Sequence, residues 1–99
     1  MNESMSCGGV GEAITRDGCV HVTASMDESI QYSVTLGEDV RDKSAEDLAD
    51  EIKATAKIAF QRVLAEMRRD IETRGQSQAI STGWPTHAEV DALERELLG

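Results

Sequence analysis

Ninety-nine residues with a formal net charge of −9 and only three aromatic side chains, Tyr32, Phe60 and Trp84, make one small domain with a thin aliphatic core. The acid excess works against an extended nucleic-acid footprint, and no apolar run reaches the length of a membrane-spanning helix. Met1 to Gly11 has neither the basic start nor the apolar stretch of a secretory signal, which points to a chain made and folded in the cytoplasm, with Cys7 and Cys19 as free thiols.

Residues 1–9 are small and polar and read as a disordered leader. Val10 to Thr15 is predicted as a short first strand, with Gly11 interrupting it. Arg16-Asp17-Gly18 is a hairpin signal, because Asp-Gly accepts the positive φ that tight turns require. Residues 19–26 and 30–37 are strands by strict alternation. Val20, Val22, Ala24 and Met26 point one way, Cys19, His21, Thr23 and Ser25 the other, and Ile30, Tyr32, Val34 and Leu36 repeat the pattern after the turn Asp27-Glu28-Ser29. An acidic link follows, with Glu38, Asp39, Asp42, Glu46, Asp47 and Asp50 against Arg41 and Lys43. From Ser44, a helix cap, the period changes to about 3.6. Leu48, Ile52, Ala56, Ala59, Phe60, Val63, Leu64, Met67 and Ile71 form one drifting apolar stripe, and Gly75 is the predicted stop. Residues 76–83 form a linker. Thr86 and Glu89 then have the spacing of a capping box, and Pro85 blocks any helix running in from upstream. The short helix behind them carries Val90, Leu93, Leu97 and Leu98.

No catalytic constellation accompanies this pattern. Cys19-x-His21 is half a metal-ligand set without a second pair. The glycines around Cys7 lack the Lys and Ser/Thr of a phosphate loop. Asp27-Glu28 and Asp50-Glu51 have no nucleophile or histidine at a useful spacing and read as turn and solvent-face charges. No enzyme activity, cofactor or metal is expected. The one basic segment is the second half of the long helix, where Lys53, Lys57, Arg62, Arg68, Arg69 and Arg74 outnumber Glu66, Asp70 and Glu72. These bases are candidate phosphate contacts, or they complement the helix dipole.

The stretch Arg16-Asp-Gly-Cys-Val-His-Val-Thr-Ala-Ser-Met-Asp, then Ile30-Gln-Tyr-Ser-Val-Thr-Leu, then Ser44-Ala-Glu-Asp-Leu-Ala-Asp-Glu-Ile resembles the YbaB/EbfC family of small dimeric nucleoid-associated proteins. The tail Gly83-Trp-Pro-Thr-His-Ala-Glu89 with its acidic helix looks like the end of mycobacterial proteins associated with type VII (ESX) secretion, which carry a YbaB-like centre. The resemblance implies a homodimer, an actinobacterial source and a role around secretion substrates. The helix that usually precedes the first strand in YbaB/EbfC proteins has no counterpart in the short leader, which shifts the expectation from DNA towards protein partners.

The expected architecture is α+β: a three-stranded antiparallel meander, a long amphipathic helix and a short C-terminal helix. The YbaB-like domain occupies residues 10–75, the linker 76–83 and a C-terminal docking helix 84–99. The apolar sheet face and helix stripe exceed what one thin layer hides, so a homodimer is expected, with Val22, Val34, Ile52, Phe60 and Val63 in its core or interface. Trp84, Val90, Leu93 and Leu97 are expected to dock a secretion-system or substrate protein. The alternative is DNA binding of YbaB/EbfC type through the six bases. The expected location is cytoplasmic, with nucleoid association or type VII export as further destinations.

Overall fold

The computed structural model describes residues 9–26, 28–73 and 83–98. Strands β1 (Val10–Ile14), β2 (Val20–Met26) and β3 (Ile30–Leu36) form an antiparallel meander in the order β1-β2-β3. A 3-10 turn (Glu38–Asp42) leads into α1 (Ala45–Thr73), and a second helix, α2 (His87–Leu97), follows. The α+β architecture is the one the alternation and the later 3.6 period predict; the 3-10 turn is an addition within the acidic link. The first eight residues with Cys7, the turn residue Asp27, Arg74, the stop at Gly75 and linker residues 76–82 lie outside the described residues.

Local chemistry sets each boundary. Gly18 takes φ +77 in the β1–β2 turn, and its amide donates to the Thr15 carbonyl at 2.9 Å. Asp17 Oδ1 accepts from the Thr15 hydroxyl at 2.7 Å and from the Cys19 amide at 3.0 Å, closing an Asx-type turn. Ser44 caps α1 by accepting from the Asp47 amide at 3.0 Å. Thr86 and Glu89 form the full reciprocal box at the start of α2: the Glu89 amide donates to Thr86 Oγ1 at 3.2 Å, and the Thr86 amide donates to Glu89 Oε1 at 2.8 Å. The Thr86 amide holds the Glu89 carboxyl below its usual range, as a box in use should.

The core lies between α1 and the first two strands. Gly11 and Ala13 of β1, Thr15 just beyond its end, and Val20, Val22 and Ala24 of β2 face the helix, which answers with Thr55, Ala59 and Val63. Gly11 is the point of closest approach. A Cβ there would stand 2.4 Å from the Ala59 carbonyl oxygen and 2.7 Å from the Val63 amide nitrogen. The glycine that looked like an interruption of the strand is what lets the helix backbone lie on it. α2 packs on the flank of α1 that carries Ile58 and Ala65, since the neighbouring Arg62 reaches Asp91 and Glu94, and Gln61 and Arg68 line a depression with Val90 and Leu93; Val90 is 1% exposed.

Candidate association surface

The register pairs Val20 with Leu36, Val22 with Val34, Ala24 with Tyr32 and Met26 with Ile30. Directly opposed residues share a sheet face, so the apolar β3 side chains continue the face that α1 covers over β1 and β2. On β3 the cover stops. Tyr32, Val34 and Leu36 are 48%, 45% and 44% exposed, whereas Val20, Val22 and Ala24 are fully buried.

The backbone of β3 is open on the same residues. The Gly37 amide donates to the Cys19 carbonyl at 2.7 Å, making Cys19–Gly37 a hydrogen-bonded pair of the ladder. Bonded and non-bonded pairs alternate in an antiparallel ladder. Gln31, Ser33 and Thr35 therefore spend their amides and carbonyls on β2, and Ile30, Tyr32, Val34 and Leu36 turn theirs outwards. The same four residues present apolar side chains on one face and, along the edge, peptide groups that no described residue pairs with.

The α1 surface matches this opening. At 100° per residue, Ala56, Phe60, Leu64, Met67 and Ile71 fall on the flank opposite Ile58 and Ala65. Since α2 occupies the Ile58 flank, beside β1, the Phe60 flank lies on the β3 side; its side chains are half-buried.

The end of the sheet at the β1–β2 turn is closed by charge. Lys43 Nζ sits 2.8 Å from Asp17 Oδ2 and 2.9 Å from Glu51 Oε2, tying the β1–β2 turn to the first turns of α1. The Lys43 ammonium and the Cys19 amide hold the Asp17 carboxyl well below its ordinary range; Asp17 and Glu51 hold Lys43 correspondingly high. Burial pushes the Cys19 thiol up, with the Asp17 charge acting in the same direction, which disfavours the thiolate. On the solvent side of the sheet, His21 Nε2 lies 2.8 Å from Glu12 Oε2. Among the described residues no group of three or more His, Cys, Asp or Glu side chains could hold a metal ion, and no helix is long and apolar enough to cross a membrane.

The residues expected to form the core and interface divide. Val22 and Val63 are wholly buried within the chain, Ile52 and Phe60 are half-buried, and Val34 is exposed. The docking residues divide as well. Val90 is buried beneath α1 and Leu93 is packed against the core, so α2 serves this chain's own interior; Leu97 remains 40% exposed. Trp84 is half-buried and lines a depression with Gln61, Arg68, Pro85 and Leu93. The basic stripe is broken up by the same docking. The Arg62 guanidinium lies 2.9 Å from both Asp91 Oδ1 and Glu94 Oε1 of α2. Arg68 donates to the Trp84 carbonyl at 2.6 Å and to Glu72 at 3.1 Å, and Arg69 faces Glu66 at 4.0 Å. Lys53 and Lys57 are exposed on α1.

Sequence reasoning missed the roles of Arg62, Arg68 and Lys43 as clasps between elements. Their acidic partners are 26 to 32 residues away for Lys43 with Asp17 and for Arg62 with Asp91 and Glu94, a separation that no local pattern encodes. No protein-family model, no curated protein and no solved structure matches the chain.

Proposed function

We propose that this chain is a non-enzymatic homodimeric interaction protein associated with type VII (ESX) secretion, chaperone-like in holding a partner protein. The observation that supports the reading is β3: a seven-residue strand in which Ile30, Tyr32, Val34 and Leu36 carry apolar side chains and peptide groups that no described residue pairs with. Exposed strand edges of this kind pair with other chains. The secretion setting rests on the likeness of the strands, the long helix and the Gly83–Glu89 tail described above. Sedimentation equilibrium at micromolar concentration tests the dimer and should return about twice the chain mass of 10.8 kDa. A monomer under those conditions overturns it. Pull-down from the native host tests the setting, which fails if secretion components are not enriched over a control bait.

DNA binding is the second reading, favoured by the exposed Lys53 and Lys57 on one stretch of α1. The engagement of Arg62 and Arg68 with α2 and Trp84 leaves it less charge to work with. A gel shift with random duplex DNA decides between them: retardation at low salt that fades at moderate salt supports DNA contact, and free duplex at low salt removes it.

A further inference from the structure

We infer that the second copy joins through β3 itself, strand to strand and antiparallel, so that two meanders form one six-stranded sheet with both α1 helices on the same face. This rests on the homodimer reading above and specifies its geometry.

Four observations point to a second copy of this chain as the occupant of β3. The first is polarity. Ile30, Tyr32, Val34 and Leu36 alternate outward peptide groups with groups spent on β2, and a two-fold axis near Ser33 sets the same four residues of a second strand opposite them. The second is side-chain continuity. A two-fold axis perpendicular to the sheet keeps all eight apolar side chains on the helix-bearing face, where they extend Val20, Val22 and Ala24 into one layer. The third is the cover. Each α1 lies over its own β1 and β2, so two copies leave a trough above the paired β3 strands. The half-buried flanks with Phe60, Leu64 and Met67 stand on its two sides. The fourth is charge. Self-association of chains carrying −9 each needs an uncharged seam, and no charged residue occurs from Ser29 to Gly37. β3 also has no Pro, Lys or bulge of the sort that blocks edge pairing. The other edge is less suited. β1 carries Glu12, and α2 stands beside it, where Ile14 and Arg16 share a depression with Asp91, Glu94 and Leu98.

The ends of the paired strands oppose association, because Glu28 of one copy approaches Glu38 of the other when the axis lies at Ser33. Salt screens that repulsion, so the dimer should tighten with moderate salt.

The test combines hydrogen exchange with a proline substitution in the full chain. In the wild type at concentrations where the dimer forms, the Tyr32 and Val34 amides should exchange about tenfold or more slowly than in the dilute protein. Val34→Pro removes an amide that bonds to nothing among the described residues, so the meander keeps its ladder while strand addition is blocked. It should sediment as a monomer with unchanged far-ultraviolet dichroism. Val34→Lys, which needs no unusual backbone, should do the same. A wild-type dimer whose Tyr32 and Val34 amides exchange equally fast at all concentrations overturns the strand pairing while the homodimer stands. Val34→Lys remaining dimeric has the same meaning. A wild-type chain that is monomeric throughout removes the second copy as occupant, and with it the homodimer reading.

Discussion

The β1 side and the β3 side of the sheet are built from the same alternating pattern yet end in opposite states. At β1 the helix backbone lies on Gly11, α2 stands nearby with Glu94 lining the same depressions as Ile14, and the β1–β2 turn is clasped to α1 by Lys43. At β3 the same face carries larger side chains, Tyr32, Val34 and Leu36, with nothing described above them. The difference teaches that a helix covers about two strands of a small sheet, and that side-chain size decides which two. Gly11 and Ala13 let α1 come close; a tyrosine and a leucine would hold it off.

Substitutions should therefore cost most on the covered side. Ile58 of α1 is fully buried in the core cluster that also holds Val90 of α2. Ile58→Ala should lower unfolding stability by about 3 kcal/mol, within the range for emptied aliphatic sites, as read by urea denaturation. Gly11→Ala comes next. Its methyl would meet the Ala59 carbonyl and the Val63 amide, both backbone atoms that cannot rotate aside. A loss of about 2 kcal/mol is expected from overpacking; a neutral result would mean that α1 does not rest on β1.

The clasps give smaller, condition-dependent effects. Arg62→Met removes the charges that hold Asp91 and Glu94 of α2. These acids are partly exposed and solvent-screened, so about 1 kcal/mol is expected. Undocking of α2 should also redden the emission of Trp84, the only tryptophan. At the other end, Asp17 has a folded pKa depressed below its ordinary value of 3.8 by Lys43 and the Cys19 amide. A depressed carboxyl stabilises the fold fully above that ordinary value, and its contribution is lost as pH falls below it towards the folded pKa. Wild-type stability should accordingly drop below about pH 4, and Asp17→Asn should flatten that limb of the profile. An identical acid limb in Asp17→Asn would mean that the clasp contributes nothing to the fold.

Much of this was legible in the residues. Alternation located β2 and β3, and local side-chain chemistry located the Asp17-Gly18 turn, the Ser44 cap and the Thr86–Glu89 box, because each of these is decided within four residues. What stayed hidden depends on distance. Arg62 and Arg68 look like part of a basic helix until α2 folds back upon them, and Gly11 looks like a broken strand until a helix crosses it. Val90 looked available to a partner for the same reason: the sequence shows an apolar stripe on a short helix without showing that α1 offers Ile58 and Ala65 to meet it. For the association surface, the alternation made Tyr32, Val34 and Leu36 apolar neighbours; their exposure became visible only once α1 was seen to stop at β2.

The smallest effect on the isolated chain should come from β3. Tyr32 lies about half exposed, at 48%, opposite Ala24, so Tyr32→Ser removes little buried contact. At high dilution its stability should stay within about 0.5 kcal/mol of the wild type, as for ordinary surface substitutions. Concentration brings out the difference. Association that involves the folded chain and not the unfolded one raises the melting midpoint by mass action. The wild-type midpoint should climb as protein concentration rises, and the Tyr32→Ser midpoint should stay flat. Ser33→Ala, one residue away on the polar face, should climb like the wild type, since its side chain points away from the apolar layer. Equal slopes in all three proteins would place the association elsewhere on the molecule, and a flat wild type would mean that the bare side of the sheet tolerates its exposure alone.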